Sequence, residues 1–160
     1  MDRELQKKFK ENDEAALITA VVGEIGNNCF DHNLGQWRDI PGCYFHYGQQ
    51  DSFVWIVVAD RGQGIFASLS RVAADITDDD KALEAAFQRR LSGRSPEQRG
   101  NGLKFVRSII NGNVNRGLFF SSGKAHRLFG GLGSLGHEMV KGMVATGIGA
   151  FALVGWKTEL

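Results

Sequence analysis

Cysteine, proline and net charge are all scarce in this chain, and each scarcity removes a class of protein. Only two cysteines occur, Cys29 and Cys43, and they lack metal-ligand spacing, which excludes a cysteine-built metal centre. No apolar leader precedes them; the opening MDRELQKKFKEND reads as a charged helix start, so a reducing cytoplasm is the expected setting. Nineteen basic residues against 18 acidic ones give a formal net charge of +1. That balance carries no global bias toward nucleic acid or membrane, and any polyanion site has to be local. No stretch approaches the roughly 20 uninterrupted apolar residues of a membrane span. Prolines number two against 21 glycines, and no repeat or linker divides the 160 residues, the length of one ordinary domain.

What the chain does hold is apolar periodicity punctuated by glycine. Residues 13 to 32 predict one helix, because Ile18, Val22, Ile25 and Cys29 recur at spacings of four, three and four. Cys43 to Tyr47 and Phe53 to Ala59 predict strands, the second apolar enough to be central in a sheet. Asp78, Asp79 and Asp80 precede KALEAAFQRRL, a predicted helix with acids at its start and Arg89 and Arg90 near its end. A loop-like SGRSPEQRGNG follows. Leu103 to Ile110 resumes helical spacing and stops at Asn111-Gly112, a predicted C-cap. Further strands are expected at Leu118 to Ser122, around His126 to Phe129, and at Ile148 to Trp156.

Three short stretches carry chemistry. In EIGNNCFDHN, Glu24, Asn28 and His32 fall at i, i+4 and i+8, on one line beside the apolar stripe of the first helix. A solvated polar flank is the plain alternative for that line, although two successive asparagines are mediocre helix formers and need compensation. DRGQGI, Asp60 to Ile65, follows directly on the apolar strand. An acid ending a buried strand, with glycines that let the backbone turn sharply, builds a ligand-binding edge or an ordinary turn. Arg99-Gly-Asn-Gly-Leu103 then leads straight into a helix, where glycines let backbone amides approach phosphate and the helix N-terminus favours its charge.

In this order, the asparagine box, D-x-G-x-G, connecting lid and G-x-G-L resemble the GHKL or Bergerat-fold ATP-binding domain, over residues 14 to 156. The family spans gyrase-type topoisomerases, heat-shock chaperones, histidine kinases and mismatch-repair ATPases. The resemblance implies an α+β fold, a two-layer α/β sandwich in which helices cover one face of a mixed, mostly antiparallel sheet. It treats residues 1 to 160 as a single histidine-kinase-like ATP-binding domain with an ATP lid at about 66 to 99. It also implies the cofactors ATP and Mg²⁺. By the same resemblance, Asn28 would hold Mg²⁺ against the triphosphate, a neutral oxygen ligand for a hard cation. Glu24, one turn earlier, would be the catalytic acid that orients or activates the attacking water. Asp60 would accept from the adenine amino group, with Gly62 and Gly64 admitting the base close to the backbone. Gly100 and Gly102 would lie beside the phosphates, and Ile65 and Leu103, completing the two boxes, are carried over as nucleotide contacts. Arg94 and Arg99 fall in the lid as candidate phosphate contacts or plain solvated arginines.

Cys29 stands where the family often has a small residue, and Lys104 where histidine kinases often have another glycine. A histidine kinase also needs a helical hairpin with a phosphoacceptor before the ATP domain, which the 13 leading residues are not expected to supply. Stand-alone anti-sigma-factor serine kinases are the nearer resemblance, since their asparagine box also continues to a histidine four residues on, as at His32. The implied function is a regulatory Mg-ATP-binding protein, an ATPase or protein (serine) kinase acting on a protein partner. Neither nucleic acid nor membrane is an expected partner, and a homodimer stays open. A non-catalytic, ATP-responsive interaction module is the alternative. A dinucleotide site at Gly131 to Gly136, GLGSLG, is a lesser one, because no strand with an acid about 20 residues on completes a βαβ unit.

Overall fold

The computed structural model describes residues 13–31, 42–91, 100–131 and 149–157. Its first element, α1 (Asp13–Asp31), starts with Asp13 and Glu14 in the first turn, where carboxylates complement the helix dipole. Ile18, Val21, Val22, Ile25 and Cys29 form its buried stripe, none more than 4% exposed. Strands β1 (Cys43–Gln50) and β2 (Phe53–Asp60) follow as a hairpin. After the glycine corner come α2 (Gly64–Leu69) and α3 (Asp79–Gln88), then α4 (Gly102–Asn111), β3 (Arg116–Ser122), β4 (Ala125–Gly130) and β5 (Ala150–Lys157).

The five strands form one sheet in the order β1-β2-β5-β3-β4, and every described pairing is antiparallel. The α+β, two-layer expectation therefore holds, while the expectation of a mixed sheet does not: no parallel pair occurs among the described residues. Alternation sorts the faces. Val54, Ile56 and Val58 of β2, Leu118 and Phe120 of β3, and Ala152, Val154 and Trp156 of β5 pack with α1 and α4 in the main core. Trp55, Val57, Ala59, Phe119, Phe151 and Leu153 form a second apolar cluster on the opposite face.

A polar staple fixes the far end of this core. Arg116 donates to Glu14 Oε1 at 2.6 Å and to the Ile109 carbonyl at 2.9 Å, and its guanidinium stands 4.5 Å over the Trp156 ring. Trp156 Nε1 donates to the other oxygen of Glu14, also at 2.6 Å. One carboxylate at the start of α1 thus holds β3 and β5, and Arg116 extends the grip to the end of α4.

Most elements lie where periodicity puts them, with physical shifts at their ends. Helix α3 begins at Asp79 because Asp78 is its N-cap, its carboxylate accepting from Lys81 N–H at 2.8 Å. Arg89 and Arg90 lie past its end rather than in its last turn. Helix α4 includes Asn111 and is capped by Gly112 at φ −72°, so this C-cap is right-handed. Helix α2 is new, six residues being too few to show a period. The stretch read as a lid contains structure packed into the body: Leu69, Ile76, Ala82 and Ala85 cluster with Ile65 and Phe66, and Leu83 and Phe87 enter the main core. Residues 92–99, with Arg94 and Arg99, lie outside the described residues, as do His32, Ile148 and 132–136 of the GLGSLG run.

Candidate functional site

Asp60 ends β2 at the point where three strands meet, opposite Cys43 on β1 and Ala150 on β5. It is only 6% exposed. Its Oδ1 accepts from Gly62 N–H at 2.7 Å and Ala150 N–H at 3.2 Å, and its carbonyl accepts from Gly149 N–H at 2.9 Å. Burial pushes its carboxyl above the usual carboxylate range, against the opposing pull of Gly62 N–H, the Cys29 thiol and Ala150 N–H. Gly149 closes the corner from behind. A Cβ there would fall 2.3 Å from the Gly62 carbonyl oxygen and 2.5 Å from Asp60 Oδ1, so only glycine fits.

The chain then turns through Gly64 at φ +77°, a left-handed conformation that costs glycine little, and enters α2. Ser122, at the end of β3 and 4% exposed, receives this turn. Its Oγ accepts from Ile65 N–H at 2.9 Å and donates to the Gly149 carbonyl at 3.1 Å. The D-x-G-x-G corner is therefore tied into both β5 and β3, and Ile65 packs against the main core.

Helix α1 runs from this corner to the third glycine box. At one end of the run, Cys29 is buried beside Asp60 and Cys43, with Sγ 3.5 Å from the Ile25 carbonyl it donates to. Burial is the main reason its thiol sits well above the ordinary thiol range, with the Asp60 charge next and Cys43 after it. At the other end, Glu24 lies against the start of α4: a Cβ on Gly102 would stand 2.5 Å from Glu24 Oε2. Asn28 is half-buried, adjacent to Cys29 in sequence and one turn beyond Glu24, so it falls between the two contacts.

The N-terminal turn of α4 carries no side-chain cap. Asn101 precedes Gly102 in right-handed backbone, and its side chain makes no capping bond, which leaves first-turn N–H groups to other acceptors. The nearby Glu24 carboxylate complements their partial positive charge. Leu103 packs into the main core, and Lys104 is half-buried. Gly100 holds φ +132°, and a Cβ on it would fall 2.5 Å from the Leu91 carbonyl oxygen, so the two sides of the 92–99 segment meet here.

The sequence candidates thus divide into two contact groups joined by α1. Asp60, Gly62, Gly64 and Ile65 form one; Glu24, Gly102 and, through Leu91, Gly100 border the other. Ser122 and Gly149 are site residues that motif reading passed over. Ser122 had a signal, since it continues the alternation Leu118, Phe120, Ser122 and so puts a hydroxyl where an apolar side chain is due. Among the described residues, no group of three His, Cys, Asp or Glu is placed to hold a metal ion. Compared with models of known protein families and with curated protein sequences, the chain matches none.

Proposed function

We propose that this chain binds Mg-ATP between the Asp60 corner and the start of α4, as a regulatory protein of the GHKL class acting on a protein partner. Support comes from one arrangement above all. A single helix touches both glycine boxes, Cys29 against Asp60 and Glu24 against Gly102, with Asn28 between them. Three motifs spread over some 80 residues of sequence are thereby neighbours of one helical turn and a half.

The residues suit the ligand chemically. Asp60, fixed by two backbone N–H groups on Oδ1, is a pre-oriented acceptor for an adenine amino group. Its Cys29 partner is a thiol, a weak donor with which an amino group competes well. The uncapped first turn of α4 offers N–H groups to phosphate, and Gly100 and Gly102 let it approach. Asn28 would hold the Mg²⁺ that accompanies the triphosphate, its neutral oxygen suiting a hard cation. Mg²⁺ supplies charge neutralisation there. Glu24 stands at the phosphate end, where a carboxylate can orient a water or a partner's hydroxyl and take its proton. In this proposal the fold is a Bergerat sandwich in a cytoplasmic protein.

Paired measurements of affinity and phosphate release test the division of labour, with the protein partner added where one co-purifies. Asn28→Ala should weaken Mg-dependent binding, whereas Glu24→Ala should keep affinity and lose about 10² to 10⁴-fold in turnover. Equal, background-level phosphate release from wild type and Glu24→Ala would instead identify a non-catalytic, ATP-responsive module.

A further inference from the structure

Asp60, Ala150 and Ser122 stand in one row across β2, β5 and β3, Ala150 pairing with Asp60 on one side and with Ser122 on the other. Chemistry fixes the direction of both hydrogen bonds of the buried Ser122 hydroxyl. The Ile65 N–H can only donate and the Gly149 carbonyl can only accept, so Ser122 Oγ accepts from the first at 2.9 Å and donates to the second at 3.1 Å. That carbonyl belongs to the peptide whose N–H is Ala150's, and this N–H donates to Asp60 Oδ1 at 3.2 Å. A chain of three hydrogen bonds therefore runs from Ile65 N–H, through the Ser122 hydroxyl and the Gly149–Ala150 peptide, to the Asp60 carboxylate. In a buried setting each bond polarises the next. Gly64 packs over the middle of the chain: a Cβ there would stand 3.1 Å from Ser122 Oγ and 3.2 Å from the Gly149 carbonyl oxygen.

We propose that Ser122 is a positioning residue for Asp60, holding the carboxylate so that it meets the exocyclic amino group of adenine; the role toward adenine rests on ATP binding at this corner. Asp60 Oδ1 has two backbone donors of different origin. Gly62 N–H comes from the same turn, and alone it leaves the carboxylate free to rotate about the Cβ–Cγ bond. Ala150 N–H comes from another strand and limits that rotation. Ser122 governs the second donor, because its hydroxyl sets the tilt of the peptide that carries it. At 4% exposure Ser122 does not itself reach a ligand, so its effect passes through Asp60. Removing the hydroxyl deprives the Ile65 N–H and the Gly149 carbonyl of this partner and loosens the carboxylate at the far end of the chain.

The test compares wild type, Ser122→Ala and Ser122→Thr in two arms. One is calorimetric titration with Mg-ATP and with the Mg complex of inosine triphosphate, whose base carries an oxygen in place of the amino group; the other is amide hydrogen exchange without nucleotide. Wild type should prefer ATP by at least about tenfold, as a site built to pair with an amino group does. Ser122→Ala should cut that preference by at least about fivefold, almost wholly through weaker ATP binding, while the Ile65 and Ala150 amides exchange faster and those of α1 do not change. Ser122→Thr keeps the hydroxyl and should keep both the preference and the protection. Equal loss of affinity for both nucleotides in Ser122→Ala would make the residue merely structural and overturn the proposal. So would an unchanged preference, unchanged exchange at Ala150, or a Ser122→Thr protein that behaves like the alanine variant. If wild type binds neither nucleotide, the ATP reading falls and the exchange arm alone decides whether Ser122 positions Asp60, faster Ala150 exchange in Ser122→Ala upholding it and equal exchange overturning it.

Discussion

Asp60 concentrates the chemistry at the scale of a single residue. An acid at 6% exposure with backbone partners on one oxygen is costly to ionise, and its carboxyl is accordingly raised by burial. Because the folded value exceeds the unfolded one, the folded state keeps a proton that the unfolded chain has already released. The Asp60 contribution to stability therefore declines as pH rises from the ordinary carboxylate range through the raised value. Asp60→Asn keeps an oxygen for Gly62 and Ala150 and removes the buried charge. It should raise stability at neutral pH by about 1 kcal/mol, flatten that part of the pH profile, and weaken ATP binding, the signature of a residue kept for function. Thermal melts across pH, beside calorimetry, check this. A variant that is both less stable and fully able to bind ATP would make Asp60 purely structural.

Among elements, α1 does two jobs at opposite ends. Its C-terminal half borders the site, and its first turn is held by the Glu14 staple. Arg116 is 7% exposed and its Nε has no partner, so Glu14 is the one carboxylate balancing its charge among the described contacts. Glu14→Ala should cost about 3 kcal/mol, at the low end for a broken buried pair because 30% of the Glu14 side chain reaches solvent. Urea denaturation measures it, and a loss below about 1 kcal/mol would relegate the staple to ornament. The helix itself was plain in the sequence, because a four-three-four apolar spacing admits few other structures. So was β2, whose run of Val and Ile can only be central. The staple was not, since Glu14 and Trp156 are 142 residues apart and no local pattern links them. The mixed-sheet expectation came from resemblance rather than from residues, and it is where the described topology departs from it.

Across the whole molecule, the question is which part moves when a ligand arrives. Helix α3 is poorly suited to move. The Phe87 ring packs tilted against Phe129, centroids 4.6 Å apart, and edge-on to Phe120 at 5.3 Å; Asp79 accepts from Lys124 N–H at 3.0 Å, and Asp80 pairs with Arg127 at 2.8 Å. Hydrogen exchange should find amides 82 to 88 equally protected with and without Mg-ATP. A rise in their protection on adding nucleotide would return α3 to the lid. The central claim, however, is that α1 joins two glycine boxes into one Mg-ATP site. Calorimetric titration of the reduced protein, wild type and Asn28→Ala, with ATP in the presence and absence of Mg²⁺ and with NADH as control, tests it most directly. The expected result is micromolar to millimolar ATP binding that depends on Mg²⁺ and on Asn28, with no binding of NADH; binding of NADH but not ATP, or an Asn28→Ala protein that takes Mg-ATP as tightly as wild type, would contradict it.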